Sequence, residues 1–206
     1  MLPLAQRICH SVGRIAPQIP CSAFLAAKGM RAEASESNYI LINYMLGGGH
    51  YEWKQDINSC RWKETVKVLI SRLGKRHNLA FLCHNENEYS VAKDLNLGLH
   101  IFTPKSPREY FDLATKAKFG ICNRMHASVG IAGLGIPSIA ICTDTRLLMV
   151  SELGLPIHYV KEASADLLED ETECLLQAWR TEQERLFALQ SATWDKYLST
   201  IQEALW

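Results

Sequence analysis

The sequence has 206 residues, of which 48% are apolar and 21% charged, and its 22 Lys and Arg balance 22 Asp and Glu to a formal net charge of zero. This length suits one large domain. The even balance excludes a broad basic surface for nucleic acid or anionic lipid, so any anion site must be local, and no apolar run approaches the ~20 residues of a membrane span.

The first 32 residues carry Arg7, Arg14, Lys28 and Arg31 with no acid before Glu33. A targeting segment has this composition. Pro3, Pro17 and Pro20 interrupt it, so a structured extension over residues 1–35, ahead of a domain at 36–206, is the reading adopted. From residue 38 short apolar runs alternate with helical stretches, the sign of βαβ units and a parallel sheet. Strands are expected at 39–44, 79–84, 100–102, 119–122, 138–142 and 157–160. Several are continuous apolar runs, as strands covered on both faces require.

The intervening helices carry start and stop signals. Asn58 is placed to cap a helix whose inner face is Trp62, Val66, Leu69, Ile70 and Leu73, with Gly74 closing it. Ser106-Pro107-Arg108-Glu109 reads as a capping box with Pro at the first helical position. A helix over 125–134 should stop at Gly135, and Asp144 should cap another over 145–153, stopped by Gly154 and Pro156. The tail from about Asp170 to Trp206 reads as long helix with at least one break. The seven cysteines form no C-x-x-C pair, and Cys83, Cys122 and Cys142 fall inside apolar runs. Reduced thiols, a cytoplasmic location and no metal or other cofactor are expected from this.

Six alternating strands fit a doubly wound, Rossmann-like sheet of order 3-2-1-4-5-6. That order sets the carboxyl ends of strands one and four side by side, at the switch point where ligands bind. Gly47-Gly48-Gly49-His50 leaves strand one there, and Asn123-Arg124-Met125-His126 leaves strand four. Arg124 and His126 open a helix, where unpaired N–H groups and the dipole favour an anion. Arg adds a permanent fork for carboxylate or phosphate, and His titrates near neutrality. The three glycines read equally as a close approach to ligand or as a plain loop; they match neither G-x-G-x-x-G nor a P-loop. Asp144 reads as an N-cap that also orients Arg146, a cation set against the local dipole preference. His84 leaves strand two at the same edge, as a ligand contact or a simple turn. His10, His77, His100 and His158 are assigned no role, and Trp53, Trp62, Trp179, Trp194 and Trp206 are assigned to core or interface.

The stretch from Phe119 to Ser128, then Gly135-Ile136-Pro137, Thr143-Asp144-Thr145-Arg146 and Glu152-Leu153-Gly154-Leu155-Pro156, resembles the polysaccharide pyruvyl transferase family. Residues 19–25 are similar to the C-P-S-x-F element leading into that family's second domain. The resemblance implies the C-terminal half of a GT-B-like fold. It implies transfer of pyruvate from phosphoenolpyruvate to a sugar hydroxyl in polysaccharide biosynthesis, leaving a ketal or enolpyruvyl group. Arg124 would hold the donor's carboxylate or phosphate, and His126 would act as general acid. The family's first domain is missing apart from a remnant at 1–35, so a homo-oligomer or a partner chain would complete the cleft and cover an apolar patch. A basic residue is also expected near the end of strand one, where Asn43 and Tyr44 stand. Two other readings remain: a GT-B nucleotide-sugar glycosyltransferase domain, with Asp144 and Glu152 as the acids for ribose hydroxyls, and a non-catalytic binding domain.

Overall fold

A computed structural model describes residues 4–33, 35, 38–49 and 57–205. Trp53, Trp206 and His50 lie outside the described residues. Six strands form one parallel sheet: β1 (Tyr39–Asn43), β2 (Asn78–Leu82), β3 (His100–Phe102), β4 (Ala117–Cys122), β5 (Ser138–Cys142) and β6 (Ile157–Tyr159). Their order is β3-β2-β1-β4-β5-β6, and every neighbouring pair is parallel. The doubly wound, Rossmann-like fold expected from the sequence is therefore the observed one.

Helices α2 (Ser59–Leu73), α3 (Glu86–Asp94) and α7 (Ala165–Gln177) cover one face of the sheet. Helices α4 (Pro107–Ala114), α5 (Met125–Ala132), α6 (Leu148–Ser151) and α8 (Trp179–Leu205) cover the other. Helix α1 (Leu4–Ser11) precedes the sheet along the chain. Strand side chains sort by alternation: Ile40, Ile42, Phe119, Ile121, Ile139 and Ile141 pack under α2 and α7, while Leu41, Cys122, Ala140 and Cys142 face the opposite layer. Full burial of each large apolar side chain stabilises by about 1.5–3 kcal/mol, so both faces must be apolar.

Local signals act largely as their chemistry dictates. Asn58 Oδ1 accepts the Arg61 N–H at 2.9 Å, and Ser106 Oγ accepts the Glu109 N–H at 3.2 Å. Glu109 reaches back to the Lys105 N–H at 2.7 Å, one residue before the N-cap expected to take it. The helix expected over 125–134 is shorter, because Gly133 already ends it, and Gly135 then turns with φ +75°. The segment expected as one helix over 145–153 is a 3-10 turn (Thr145–Leu147) followed by α6. The C-terminal helical tail breaks at Ala178.

Residues 18–32 pack against the sheet's second layer. Phe24 is buried among α5, α6 and α8. Gln190 Nε2 on α8 donates to both Phe24 O and Gly133 O at 2.8 Å, and Gln183 Nε2 donates to Ala32 O at 2.9 Å. All seven cysteines are unpaired. No described helix is long and apolar enough to cross a membrane.

Candidate functional site

A cavity of about 310 Å³ opens at the carboxyl edge of the sheet, and every strand from β1 to β5 except β3 delivers a residue to its wall. Gly49 follows β1, His84 follows β2, Asn123, Arg124 and His126 follow β4, and Asp144 and Arg146 follow β5. Parallel pairing compels this convergence, because all the strands end on the same edge. Of the residues singled out in the sequence, Gly47 and Gly48 do not line the cavity.

Arg124 is the N-cap of α5, its own side chain makes no capping bond, and the Met125 N–H is bonded to Cys142 at the start of that helix. Its first N–H groups have no intrahelical carbonyl to bond, and they lie at the cavity wall beside Met125 and His126. The guanidinium is tethered through Nε to Glu88 Oε1. Glu88 is 3% exposed, and its other oxygen accepts from Asn43 Nδ2 at 2.8 Å and from the His84 N–H at 2.8 Å; His84 Nδ1 lies at 3.2 Å. Burial pushes the Glu88 carboxyl up. Hydrogen bonds from the His84 side chain and backbone, the His84 charge and the Arg124 bond outweigh burial and hold it below the usual range.

Two asparagines lock strands one and four together at the same edge. Asn43 Oδ1 accepts the Arg124 N–H at 2.8 Å, while its Nδ2 also donates to Leu82 O at 3.2 Å. Asn123 Oδ1 accepts the Met45 N–H at 2.9 Å, and its Nδ2 donates to Ile141 O at 2.8 Å. On the opposite wall Asp144 grips Arg146 bidentately, at 2.8 Å from Nε and 2.7 Å from Nη2, and accepts the Arg146 N–H at 2.9 Å. The cap and the orienting contact are thus made by one carboxylate. His126 is exposed and lines the same cavity as the two arginines. Desolvation first, then the charges of Arg146 and Arg124, lower its pKa below the ordinary 6.5, so the imidazole is neutral at pH 7.

Glu88 and Asn43 were not anticipated from the sequence. The basic residue expected near the end of β1 is absent, and Asn43 there positions Arg124 through its backbone. A signal for Glu88 existed: Asn85 accepts the Glu88 N–H at 2.9 Å, so Asn85-x-x-Glu88 has capping-box spacing. The carboxylate takes the N–H of His84 rather than that of Asn85, and carries the pair to Arg124.

In the glycine turn Gly48 and Gly49 press on neighbouring side chains, and Gly49 also lines the cavity. Gly48 has φ +73°, and a Cβ on it would strike Val160; one on Gly49 would strike the Thr143 side chain. The turn is pressed against the strand-five side of the sheet. Gly48→Ala is expected to cost about 1–3 kcal/mol through left-handed strain and overpacking, lowering the melting temperature by about 2–12 °C. Thermal denaturation checks this, and an unchanged melting temperature would refute the packing role.

The chain matches the sequence profile of the family described as polysaccharide pyruvyl transferase over residues 10–144, about two thirds of its length. No protein of curated function matches it significantly. Among solved structures it is similar to a protein assigned as UDP-N-acetylglucosamine 2-epimerase from Listeria monocytogenes, with TM-score 0.56 and 11% identity over 89% of this chain and 52% of that one. It is also similar to the UDP-GlcNAc 2-epimerase from Neisseria meningitidis bound to UDP-GlcNAc, with TM-score 0.51 and 12% identity over 82% and 45% of the two chains. The glycotransferase of kitacinnamycin gives TM-score 0.50 and 11% identity over 80% and 41%. At these identities the likeness is one of fold. The chain spans about half the length of these structures.

Proposed function

Because the chain belongs to the polysaccharide pyruvyl transferase family, we propose that it carries the donor half-site for moving pyruvate from phosphoenolpyruvate to sugar hydroxyls of a polysaccharide or glycoconjugate. The observation that carries this reading is the convergence of Arg124, Arg146 and His126 on one cavity at the start of α5. Two planar guanidinium forks, each oriented by a carboxylate, suit a ligand bearing both a carboxylate and a phosphate. Transfer adds a proton to the methylene carbon of the enol, and a sugar oxygen bonds to the adjacent carbon. The phosphate leaves with the bonding electron pair; attack by a second hydroxyl closes a ketal, and the remaining proton ends on phosphate. We assign delivery of the first proton to His126, which lines the cavity. The unpaired thiols suit a cytoplasmic setting.

A nucleotide-sugar reading is less well supported. Of its two candidate acids, Asp144 is engaged by Arg146, and Glu152 is hydrogen-bonded by Gln18.

The electrostatics set a test. A bound trianion offsets the two arginine charges that depress His126, so its pKa rises on binding. Between the free and bound values the complex takes up a proton, and affinity strengthens as pH falls through that window. Calorimetric titration of phosphoenolpyruvate near pH 7, in buffers of different ionisation enthalpy, is expected to show proton uptake that disappears in His126→Gln. Absence of phosphoenolpyruvate binding would remove the donor reading. Binding with the same proton uptake in His126→Gln would remove His126 from the proton's path.

A further inference from the structure

A second cavity, of about 370 Å³, adjoins the first and shares His84 and His126 with it. Its other wall is built by the turn after β3 and by α4, with Pro104, Lys105, Tyr110 and Phe111, and by Gly130 on α5. Pockets of this size take small molecules or one unit of a polymer. We propose that it is the acceptor subsite, holding a neutral pyranose ring of the glycan, with His126 on the wall between donor and acceptor. The assignment rests on the pyruvyl-transfer reading above.

Three features favour a sugar. The lining is mainly apolar and aromatic and contains no acid, so it does not suit a cation. The C–H face of a pyranose needs one apolar wall, and its hydroxyl edge needs polar groups at the rim. Lys105 and Ser106 are exposed at that rim beside Pro107, where a glycan chain can continue into solvent. The aromatic cluster is already internally stacked: His84 lies against Tyr110 at 5.0 Å between centroids, and Phe111 meets Tyr110 edge-on at 5.4 Å. The Tyr110 side chain is 8% exposed, so no second parallel face is left to sandwich a flat base. Half-buried Phe111 is the wall that can accept a sugar.

The position of the cavity adds the chemical argument. A hydroxyl nucleophile must reach the carbon bearing the departing phosphate, so its ring must sit beside the anion pocket rather than behind it. The second cavity lies beside it, and among the described residues its shared histidines are the ones common to both linings.

Saturation-transfer NMR on the full chain tests this, with methyl β-D-glucopyranoside, methyl β-D-galactopyranoside and methyl α-D-mannopyranoside as separate probes. At least one is expected to bind, with and without phosphoenolpyruvate. Phe111→Ala is expected to raise that probe's Kd about five- to tenfold, while phosphoenolpyruvate affinity stays within about twofold. Ala23→Leu, which fills the cavity from the 3-10 turn Ser22–Leu25 packed against α5, is expected to do the same without removing an aromatic core contact. The assignment is overturned if none of the three glycosides binds, if both variants bind as the unaltered chain does, or if uridine or adenosine displaces the probe. Loss of phosphoenolpyruvate binding with glycoside binding intact would instead remove the donor reading and leave the sugar site in place.

Discussion

Arg124→Ala is expected to lose phosphoenolpyruvate binding, whereas His126→Ala keeps most binding and loses turnover. Arg124 contributes charge-assisted hydrogen bonds to a bound anion. Their loss costs on the order of 1.5–3 kcal/mol, or roughly ten- to hundredfold in affinity. Arg124→Lys keeps the charge but not the fork, and should fall between. His126 moves a proton that matters only in the transition state, so its removal lowers the rate by about 10²–10⁴ with a small effect on binding. The two variants should also differ in stability. Arg124 ties its Nε to buried Glu88, so Arg124→Ala deprives that carboxylate of a partner, while exposed His126 leaves no buried group behind. If both residues only satisfy local bonds, each variant loses stability and titrates like the unaltered chain. Paired calorimetry and binding measurements separate these outcomes, and undiminished phosphoenolpyruvate affinity in Arg124→Ala would end the donor-site reading.

Glu88→Ala is expected to be the most damaging single change near the site. It leaves Asn43 Nδ2 and the His84 N–H without their carboxylate and releases the Arg124 guanidinium. Stranding buried donors and breaking a buried ion pair costs about 2–4 kcal/mol, a large share of a typical domain's 5–15 kcal/mol. Glu88→Gln preserves volume but turns an NH₂ toward a ring of donors, so it rescues little. The pH dependence has a definite sign. The folded pKa of Glu88 is lowered, so its contribution is complete above its unfolded value of about 4.3 and is lost as pH falls through the folded one. The stability gap between the unaltered chain and Glu88→Gln should therefore narrow only under acid. A gap that stays constant down to about pH 2 would show that the carboxylate's charge is not what stabilises. A positioning role also predicts that Glu88→Asp, folded and stable at neutral pH, binds phosphoenolpyruvate more weakly, because its shorter reach releases Arg124.

The sequence by itself determined the sheet. Continuous apolar runs can be buried only if both faces are covered, and their alternation with capped helices admits few arrangements, of which order 3-2-1-4-5-6 is the one observed. The same order put the residues after Asn43, Cys122 and Cys142 at one edge, so Arg124, His126 and Asp144 were legible as neighbours before any coordinates. Tertiary structure decided what those neighbours do to one another. Glu88 lies on α3, whose few apolar positions give a weak periodic signal, and its partners Asn43, His84 and Arg124 are 45, 4 and 36 residues away along the chain. The capping-box spacing from Asn85 marks Glu88 locally, but the bonds to Asn43 and Arg124 span too much chain to leave a pattern. The glycine turn was ambiguous for a related reason. Glycine in a sequence announces a close approach but not to what, and only the tertiary structure shows Gly48 pressed on Val160 and Gly49 set between Thr143 and the cavity. The neighbouring aromatic cavity was likewise invisible, because nothing in the sequence around Tyr110 and Phe111 shows that the turn after β3 and α5 fold against each other there.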